Sequence, residues 1–253
     1  MLPHTLMLVL PLLIAADSKD AFVATESINS SDATQGACAD EKHVYAISNT
    51  RLVKYDRATG KELAKSVGEA HHLNAGVFWK GKIYFAHSYY PKKPSDSDIR
   101  VCDPENMKLT IFHAFKDPPG SLTWALPKGD DWWCCFAHYG DTNGKTVLVR
   151  FDPQWKELAR WTFPIKLIEQ WDKSSMSCGI WDGDTLLATG HDKKVIYRLR
   201  VPAQGAVVEW LATYDSPFPG QGFAADPKTG GLVGIDRAQK KIVLAKFVRK
   251  SQD

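Results

Sequence analysis

The hydrophobic residues of this chain recur in short alternating runs that stop at turn residues. Four segments share one pattern, a strand, a turn containing Asp, Pro or Gly, and a second strand: "RLVKYDRATGKELAKS" (51–66), "IRVCDPENMKLTIFHAF" (99–115), "VLVRFDPQWKELARWTF" (147–163) and "VIYRLRVPAQGAVVEWLATY" (195–214). Asp-Pro and Thr-Gly turns between alternating apolar positions are typical of hairpins. The pattern therefore predicts four hairpins of similar build.

A second kind of hairpin precedes each of these four. It has a first strand of small residues, a turn of Gly, Asp or Lys, and a richly apolar second strand, as in "TQGACADEKHVYAIS" (34–48), "NAGVFWKGKIYFAHS" (74–88), "LTWALPKGDDWWCCFAHY" (122–139) and "SCGIWDGDTLLATGHD" (177–192). Together the two hairpins make a unit of four antiparallel strands that recurs about every 40–50 residues. This period and strand number predict an all-β fold, a β-propeller of four-stranded antiparallel blades.

The two ends of the chain complement each other. The last unit supplies only three strands, two in 220–236 and one in 240–248, while a strand-like segment, 21–29, stands before the first unit. We predict that this N-terminal strand completes the last blade and closes a five-bladed ring, because closure removes exposed strand edges. Helical periodicity is almost absent, and 165–176 is predicted to be a long connector with one helical turn.

The first twenty residues follow a different pattern. Their apolar core, Leu6 to Ala15, is about ten residues long, too short to span a bilayer as a helix. Small residues follow at Ala15 and Ala16, which predicts a signal peptide over 1–16, a single propeller domain over 17–253, and a secreted or periplasmic protein. The alternative is a buried N-terminal strand. No later run is long enough to cross a membrane, so we expect no integral membrane segment in the mature chain.

Composition narrows the class of partner. The formal net charge is +3 and no long basic block occurs, which argues against nucleic acid as a partner.

The five cysteines are odd in number and form no C-x-x-C motif, so we expect them to be small buried hydrophobic residues, with a disulfide framework as the alternative. We expect the protein to be a monomer.

Two stretches carry resemblances to known families. The segment "VYAISNTRLVKYDRATGKEL" (44–63), with its D-x-x-T-G-K turn, resembles the repeat of PQQ-type and YVTN-type propellers. The segments 34–48 and 220–236 resemble plant- and bacterial-type glutaminyl cyclases, which are five-bladed rings. That cyclase family carries a Glu just after the Tyr of the first blade's second strand, whereas here Tyr45 is followed by Ala46. The resemblance therefore implies the fold rather than cyclase activity.

Histidines end several of the predicted second strands. In a four-stranded antiparallel blade, first strands start and second strands end on the same face of the disc, so one face should collect His72, His87, His138 and His191. Three interpretations stay open. Each His caps a strand end, or the four bind zinc, copper or iron, or one of them is an acid–base catalyst oriented by Asp192 or Asp236.

The same face receives the two longest connections, 87–98 and 165–176. Because binding residues tend to lie on loops held by a rigid scaffold, we predict ligand-binding residues there: Asn74, Tyr89, Tyr90, Tyr139, Trp171, Asp192, Asp236 and Arg237. The predicted function is a secreted propeller that binds a small polar ligand or a protein partner on this face. The alternative is a metal-assisted hydrolase or lyase that uses the central histidines.

Overall fold

The computed structural model describes residues 20–92 and 96–249, which form twenty strands and little else. The predicted signal peptide, 1–16, lies outside these residues. The connector after residue 164 contains one four-residue α-helix, α1 (Ile165–Ile168), followed by a 3₁₀ turn, Glu169–Trp171, which confirms the predicted single helical turn. In the described part of the chain no helix has the length and apolar character needed to cross a membrane.

Three four-stranded antiparallel sheets follow the N-terminal strand β1 (Ala21–Asn29) in chain order. The first consists of β2 (Gly36–Ala39), β3 (His43–Ile47), β4 (Leu52–Asp56) and β5 (Glu62–Lys65). The second consists of β6 (His72–Trp79), β7 (Lys82–Ser88), β8 (Ser97–Asp103) and β9 (Lys108–Ala114). The third consists of β10 (Ser121–Lys128), β11 (Asp131–Ala137), β12 (Val147–Phe151) and β13 (Glu157–Thr162).

The remaining strands form one eight-stranded sheet. It contains β14 (Cys178–Asp182), β15 (Thr185–Thr189), β16 (Val195–Arg200), β17 (Glu209–Asp215), then β1, β20 (Lys241–Val248), β19 (Leu232–Asp236) and β18 (Ala224–Ala225). Strand β1 pairs antiparallel with β20 from Ala21↔Val248 to Asn29↔Lys241, which confirms the predicted pairing of the two chain ends. It meets β17 through a single parallel pair, Ala21↔Asp215. Since this pair joins the last eight strands, five separate blades stay a prediction.

We call each four-stranded sheet a strand group, and we divide the eight-stranded sheet into two further strand groups, β14–β17 and β18–β20 with β1. Hydrogen bonds connect neighbouring strand groups. Leu73 N–H donates to Asn49 O at 2.8 Å between the first and second sheets, and Asn74 Nδ2 donates to Leu122 O at 2.9 Å between the second and third. The last strand group is connected to the first where Gly222 N–H donates to Gln35 O at 2.8 Å, between the start of β18 and the start of β2. The strand groups are therefore arranged radially, with the last beside the first.

The first strand of each group lies innermost, and this explains its small residues. A Cβ atom on Gly36 would lie 2.9 Å from Gly222 Cα, and one on Gly179 would lie 3.0 Å from the indole of Trp124. Such distances are shorter than normal contacts, so the crowded centre excludes larger side chains. A cavity of about 310 Å³ remains there, lined by residues from β2, β6, β10, β14 and β18.

The strands β5, β9, β13 and β17, each the fourth of its repeat unit, and the N-terminal strand β1 all carry a β-bulge at an equivalent position. In β5, for example, Glu62 pairs with Tyr55 and Ala64 pairs with Lys54, so Leu63 has no pairing partner in the ladder. The other four bulges leave out one residue in the same way: Phe112 in β9, Leu158 in β13, Leu211 in β17 and Thr25 in β1. Bulges protect strand edges from pairing with other chains.

The core is aromatic and its thiols are reduced. Trp124, Trp132 and Trp133 are buried between strand groups, and Trp79 and Trp181 are half-buried. All five cysteines lie in the described part of the chain; each is buried and none is bonded to another. Burial raises the pKa of Cys102 and of Cys178 to about 12. The thiols are therefore packing groups, as expected for small buried hydrophobes.

Candidate functional site

One side of the molecule collects the ends of the second strands and the starts of the first strands. We call it the upper face; it carries the segments that follow β3, β7, β11, β15 and β19, and the connections that lead into β2, β6, β10, β14 and β18. The predicted histidines and tyrosines lie on this face. The opposite side, with the turns between first and second strands, is the lower face.

His87 is a structural residue of the upper face. Its side chain is fully buried and its Nε2 accepts the backbone N–H of His71 at 2.9 Å, so the ring proton must be on Nδ1 in the neutral form. Nδ1 lies 3.1 Å from Asp98 Oδ2, although it is not aligned for a hydrogen bond. Burial raises the pKa of Asp98, but His87 and Arg100 outweigh this effect and hold that pKa below its ordinary value.

The predicted four-histidine metal site is not formed. Within residues 20–92 and 96–249, no group of three or more His, Cys, Asp or Glu side chains is placed to share a metal ion. The lone pair of His87 Nε2 is occupied, and His138 Nε2 is bonded to the carbonyl oxygen of Pro119 at 2.5 Å. His191 Nδ1 pairs with Asp192 Oδ2 at 2.7 Å. These contacts fix the orientation of three of the rings, and the four histidines do not come together around one point.

His72 lies near the centre of the upper face. Burial lowers the pKa of His72, and the neighbouring His87, Arg237 and His191 lower it further, against the opposing hydrogen bond with Asn74. The imidazole is therefore neutral at neutral pH. Arg237 is always protonated and acts on this ring, so it brings a positive charge near the centre of the upper face, which we call the positive centre.

A large cleft on the upper face lies between the second and third sheets. Its volume is about 830 Å³, and its walls include Tyr90, His138 and Tyr139. The rings of Tyr90 and Tyr139 lie 5.4 Å apart, and the ring of His72 meets that of Tyr90 at 5.9 Å. Tyr90 thus connects the cleft to the positive centre. Tyr90 is 49% exposed, so its ring face is accessible to a ligand.

A smaller cleft, of about 280 Å³, lies beside the connector that precedes β14. It contains Trp171, His191 and Asp192, three of the predicted site residues. Trp171 is buried and packs edge-on against Phe163 at 5.3 Å, so most of its surface serves the core. The structure therefore divides the predicted residues between two clefts on one face.

Three predicted ligand-binding residues have structural contacts. Asn74 is buried and its amide donates to Leu122 O, tying β6 to β10. The hydroxyl of Tyr89 accepts from Arg100 Nη2 at 3.3 Å, and its ring packs on His71 at 4.9 Å. Asp236 Oδ1 accepts the backbone N–H of Gln239 at 3.0 Å and so stabilises the turn before β20.

Sequence reasoning missed part of the large cleft. Asp96, Asp117 and the Pro118–Pro119 pair also line it, next to Lys92. The run "KDPPG" (116–120) could have indicated this wall, because a proline pair between two strands marks a fixed turn. Its placement opposite Tyr90 depends on the packing of two separate sheets, which no local pattern reveals.

The position at which the cyclase family carries its Glu is part of the core. Ala46 lies in β3, is fully buried, and pairs with Ala37 and Val53 in the ladder. No carboxylate of the kind implied by that family occurs at this point of the chain.

Comparison with solved structures identifies the architecture. The glutaminyl cyclase of Myxococcus xanthus aligns with a TM-score of 0.62 at 10% sequence identity, over 92% of this chain and 98% of that one. The Cps50 (Swd1) β-propeller domain of Myceliophteria thermophila aligns over 90% of this chain and 100% of that one, at 9% identity and a TM-score of 0.47. No family model and no curated protein matches the sequence.

The comparison with the cyclase structure shows the fold and not the activity. The chain is a β-propeller built from four-stranded antiparallel units around a central axis. Propellers host unrelated functions on the same framework, so the function must be argued from the residues of the site.

Proposed function

We propose that this protein is a five-bladed binding propeller that holds a small polar ligand with an anionic group on its upper face. The observation that carries the proposal is the 830 Å³ cleft, lined by Tyr90 and Tyr139 and continuous with the positive centre at His72. Its volume is within the range of small-ligand pockets.

Two repeated features support five blades. The same bulge occurs five times, in β5, β9, β13, β17 and β1. Each of these strands would be the outermost of the four strands in one blade, and β1 would be outermost through its pairing with β20. The central cavity is lined from five first strands. The contact between β1 and β17 is one residue pair, so it is better explained as two adjacent blades touching than as one continuous sheet.

The chemistry of the ligand follows from the groups that line the site. Tyrosine rings offer flat apolar surfaces with a polar tip, which suit a ligand that has both an apolar face and polar groups. Burial raises the pKa of Tyr139, so its hydroxyl is a protonated donor at neutral pH. Arg237 favours a negative charge at the central end, whereas Asp96 and Asp117 in the wall of the cleft favour a hydrogen-bond donor.

Binding without turnover is the function that these residues support best. His87 is buried as a structural group, and His138 is tied to a backbone carbonyl. The acid that the cyclase resemblance implies is replaced by Ala46. A protein partner is the alternative occupant, and it would present a carboxylate to the same centre.

The test is ligand-induced thermal stabilisation of the full chain. Succinate and glutamate serve as anionic probes, and succinamide is the neutral probe of matched shape. At a concentration 100-fold above the Kd, a bound probe stabilises the protein by about 2.7 kcal/mol, which raises the melting temperature by about 5–11 °C in a domain of this size. We expect this rise with a carboxylate and not with the amide.

Two variants decide whether the upper face is responsible. Arg237→Gln should abolish the rise, and Tyr90→Ala should weaken it, whereas Arg160→Gln, which removes an exposed arginine of β13, should leave it unchanged. Equal stabilisation by succinamide, or a rise that survives Arg237→Gln, would contradict an anion site at the centre.

Export is a separate part of the proposal. We propose that residues 1–16 direct the chain out of the cytoplasm and are then removed, on the evidence of the apolar run and the two alanines that follow it. Mass spectrometry of the mature protein should give an N-terminus at Asp17. An intact N-terminal Met in the exported fraction would contradict cleavage.

A further inference from the structure

A separate cleft lies on the lower face, away from the site described above. It is formed between the third strand group and β14–β17, and its volume is about 470 Å³. Three tryptophans, two cations and two carboxylates line it, together with the segment 201–203: Lys128, Asp131, Trp133, Arg150, Trp161, Trp181 and Asp184.

The tryptophans form a continuous aromatic wall. Trp133 and Trp161 are stacked, with ring centres 5.1 Å apart and planes inclined by 17°. Trp181 meets Trp133 edge-on at 5.2 Å and 84°. Trp133 and Trp161 are each only 8% exposed, whereas Trp181 is half-buried, so Trp181 supplies the accessible ring surface of the wall.

The polar groups of the cleft occur as opposite charges in pairs. Arg150 Nε donates to Asp131 Oδ2 at 2.6 Å, and Lys128 Nζ lies 3.4 Å from Asp184 Oδ1. The formal charges therefore cancel within the cleft. What remains is a rim of donors and acceptors side by side, and a hydroxyl group can use both at once because it donates one hydrogen bond and accepts others.

Two of the ring faces already carry a cation of this chain. Lys128 Nζ lies 3.9 Å from the ring centre of Trp181, and the guanidinium carbon of Arg150 lies 5.5 Å from that of Trp133. Aromatic cages of this kind elsewhere bind quaternary ammonium groups. Here each cation is paired with a carboxylate, so the cleft has no net charge that would attract either a cationic or an anionic ligand.

We infer that this cleft is a binding site for a neutral saccharide, one or two sugar units long. The apolar face of a sugar ring packs on the part of the Trp181 ring that Lys128 leaves exposed, and its hydroxyls bond to the Arg150–Asp131 and Lys128–Asp184 pairs. This site is independent of the anion site, because it lies on the opposite face and shares no residue with it.

Tryptophan fluorescence of the full chain tests the inference, with isothermal titration calorimetry as a second readout. The probes are glucose, galactose, mannose, N-acetylglucosamine, maltose and cellobiose, each titrated into the millimolar range. Tetramethylammonium chloride and sodium phosphate are the charged probes. We expect a saturable change with at least one sugar and none with the charged probes.

Variants assign the signal to the cleft. Trp181→Ala should weaken sugar binding at least tenfold, while Trp210→Ala, which removes a half-buried indole of β17 outside the cleft, should leave the affinity unchanged. Asp131→Asn keeps the volume of the side chain and should also weaken binding about tenfold, so it replaces Trp181→Ala if that variant does not fold.

Three results would overturn the inference. The first is that none of the six sugars gives a saturable response. The second is that tetramethylammonium or phosphate binds saturably instead. The third is that both Trp181→Ala and Asp131→Asn still bind sugar. The last result would mean that the tryptophans and ion pairs only hold the two strand groups together.

Discussion

The buried ion pair between Arg57 and Asp226 links the first strand group of the propeller to the last. Arg57 follows β4 and Asp226 follows β18, 169 residues later, and their side chains are 5% and 0% exposed. Arg57 Nη1 donates to Asp226 Oδ1 at 2.6 Å, and Nη2 bonds to the second carboxylate oxygen. Thr229 and the backbone N–H of Lys228 also donate to this carboxylate, so its acceptors are fully used.

Removing one partner should be far more harmful than removing both. Asp226→Asn leaves the Arg57 cation buried beside a neutral group, and breaking such a pair costs about 3–5 kcal/mol of unfolding free energy. For a domain of this size we expect the melting temperature to fall by about 6–20 °C. The double variant Arg57→Met/Asp226→Leu should recover most of the loss, since an apolar pair of similar volume leaves no buried charge.

Urea unfolding followed by circular dichroism measures this prediction, with Glu157→Gln as the control. Glu157 pairs with Arg160 in β13, but those side chains are 37% and 52% exposed, so its removal should cost less than about 1 kcal/mol. If the unfolding free energy of Asp226→Asn lies within about 1 kcal/mol of that of the unmodified chain, the ion pair does not hold the ring closed. A double variant no more stable than Asp226→Asn would equally refute the reasoning.

Three further predictions concern the chain ends, the thiols and the central histidine. Deleting residues 21–29 should lower the unfolding free energy by at least about 2 kcal/mol, the value of burying Phe22 alone; an unchanged urea midpoint would show that β1 does not complete the last blade. The five buried cysteines should not react with Ellman's reagent in the native protein and all should react in denaturant, and any rapid native reaction would contradict their burial. Because the pKa of His72 is lower in the folded chain than in the unfolded one, the unfolded state binds more protons below about pH 6.5, so His72 lowers stability as the pH falls through that range. Arg237→Gln should raise the pKa of His72 in an NMR titration, and an unchanged pKa would place Arg237 too far from the ring.

The repeated hairpins made most of the fold predictable from sequence. Local turn chemistry is sufficient for each hairpin: Lys80 and Gly81, for instance, both have positive φ, at 47° and 76°, as the two-residue turn between β6 and β7 requires. The outer strand 21–29 was predictable because the last unit lacked a fourth strand. The single helical turn after Pro164 was predictable because 165–176 fits no strand pattern.

The site was only partly predictable. The alternation of strands determines which face a strand end lies on, and so the sequence predicted that His72, His87, His138 and His191 lie on one face. It could not show that His87 Nε2 accepts from the backbone at His71, or that Pro119 binds His138, because these contacts depend on side-chain rotamers and on the packing of adjacent sheets.

Sequence alone thus indicated the hairpins and their repeat, since these follow from periodicity and from turns within a few residues of one another, and it indicated the pairing of the chain ends because the last unit lacks a fourth strand. The tertiary structure decided which groups share a cleft. Tyr90 meets Tyr139 between the second and third sheets, and Trp133 meets Trp181 between the third sheet and β14, at ring separations of 5.4 Å and 5.2 Å. Neither juxtaposition has a local signal, because the angle between neighbouring strand groups is set by how their buried faces pack.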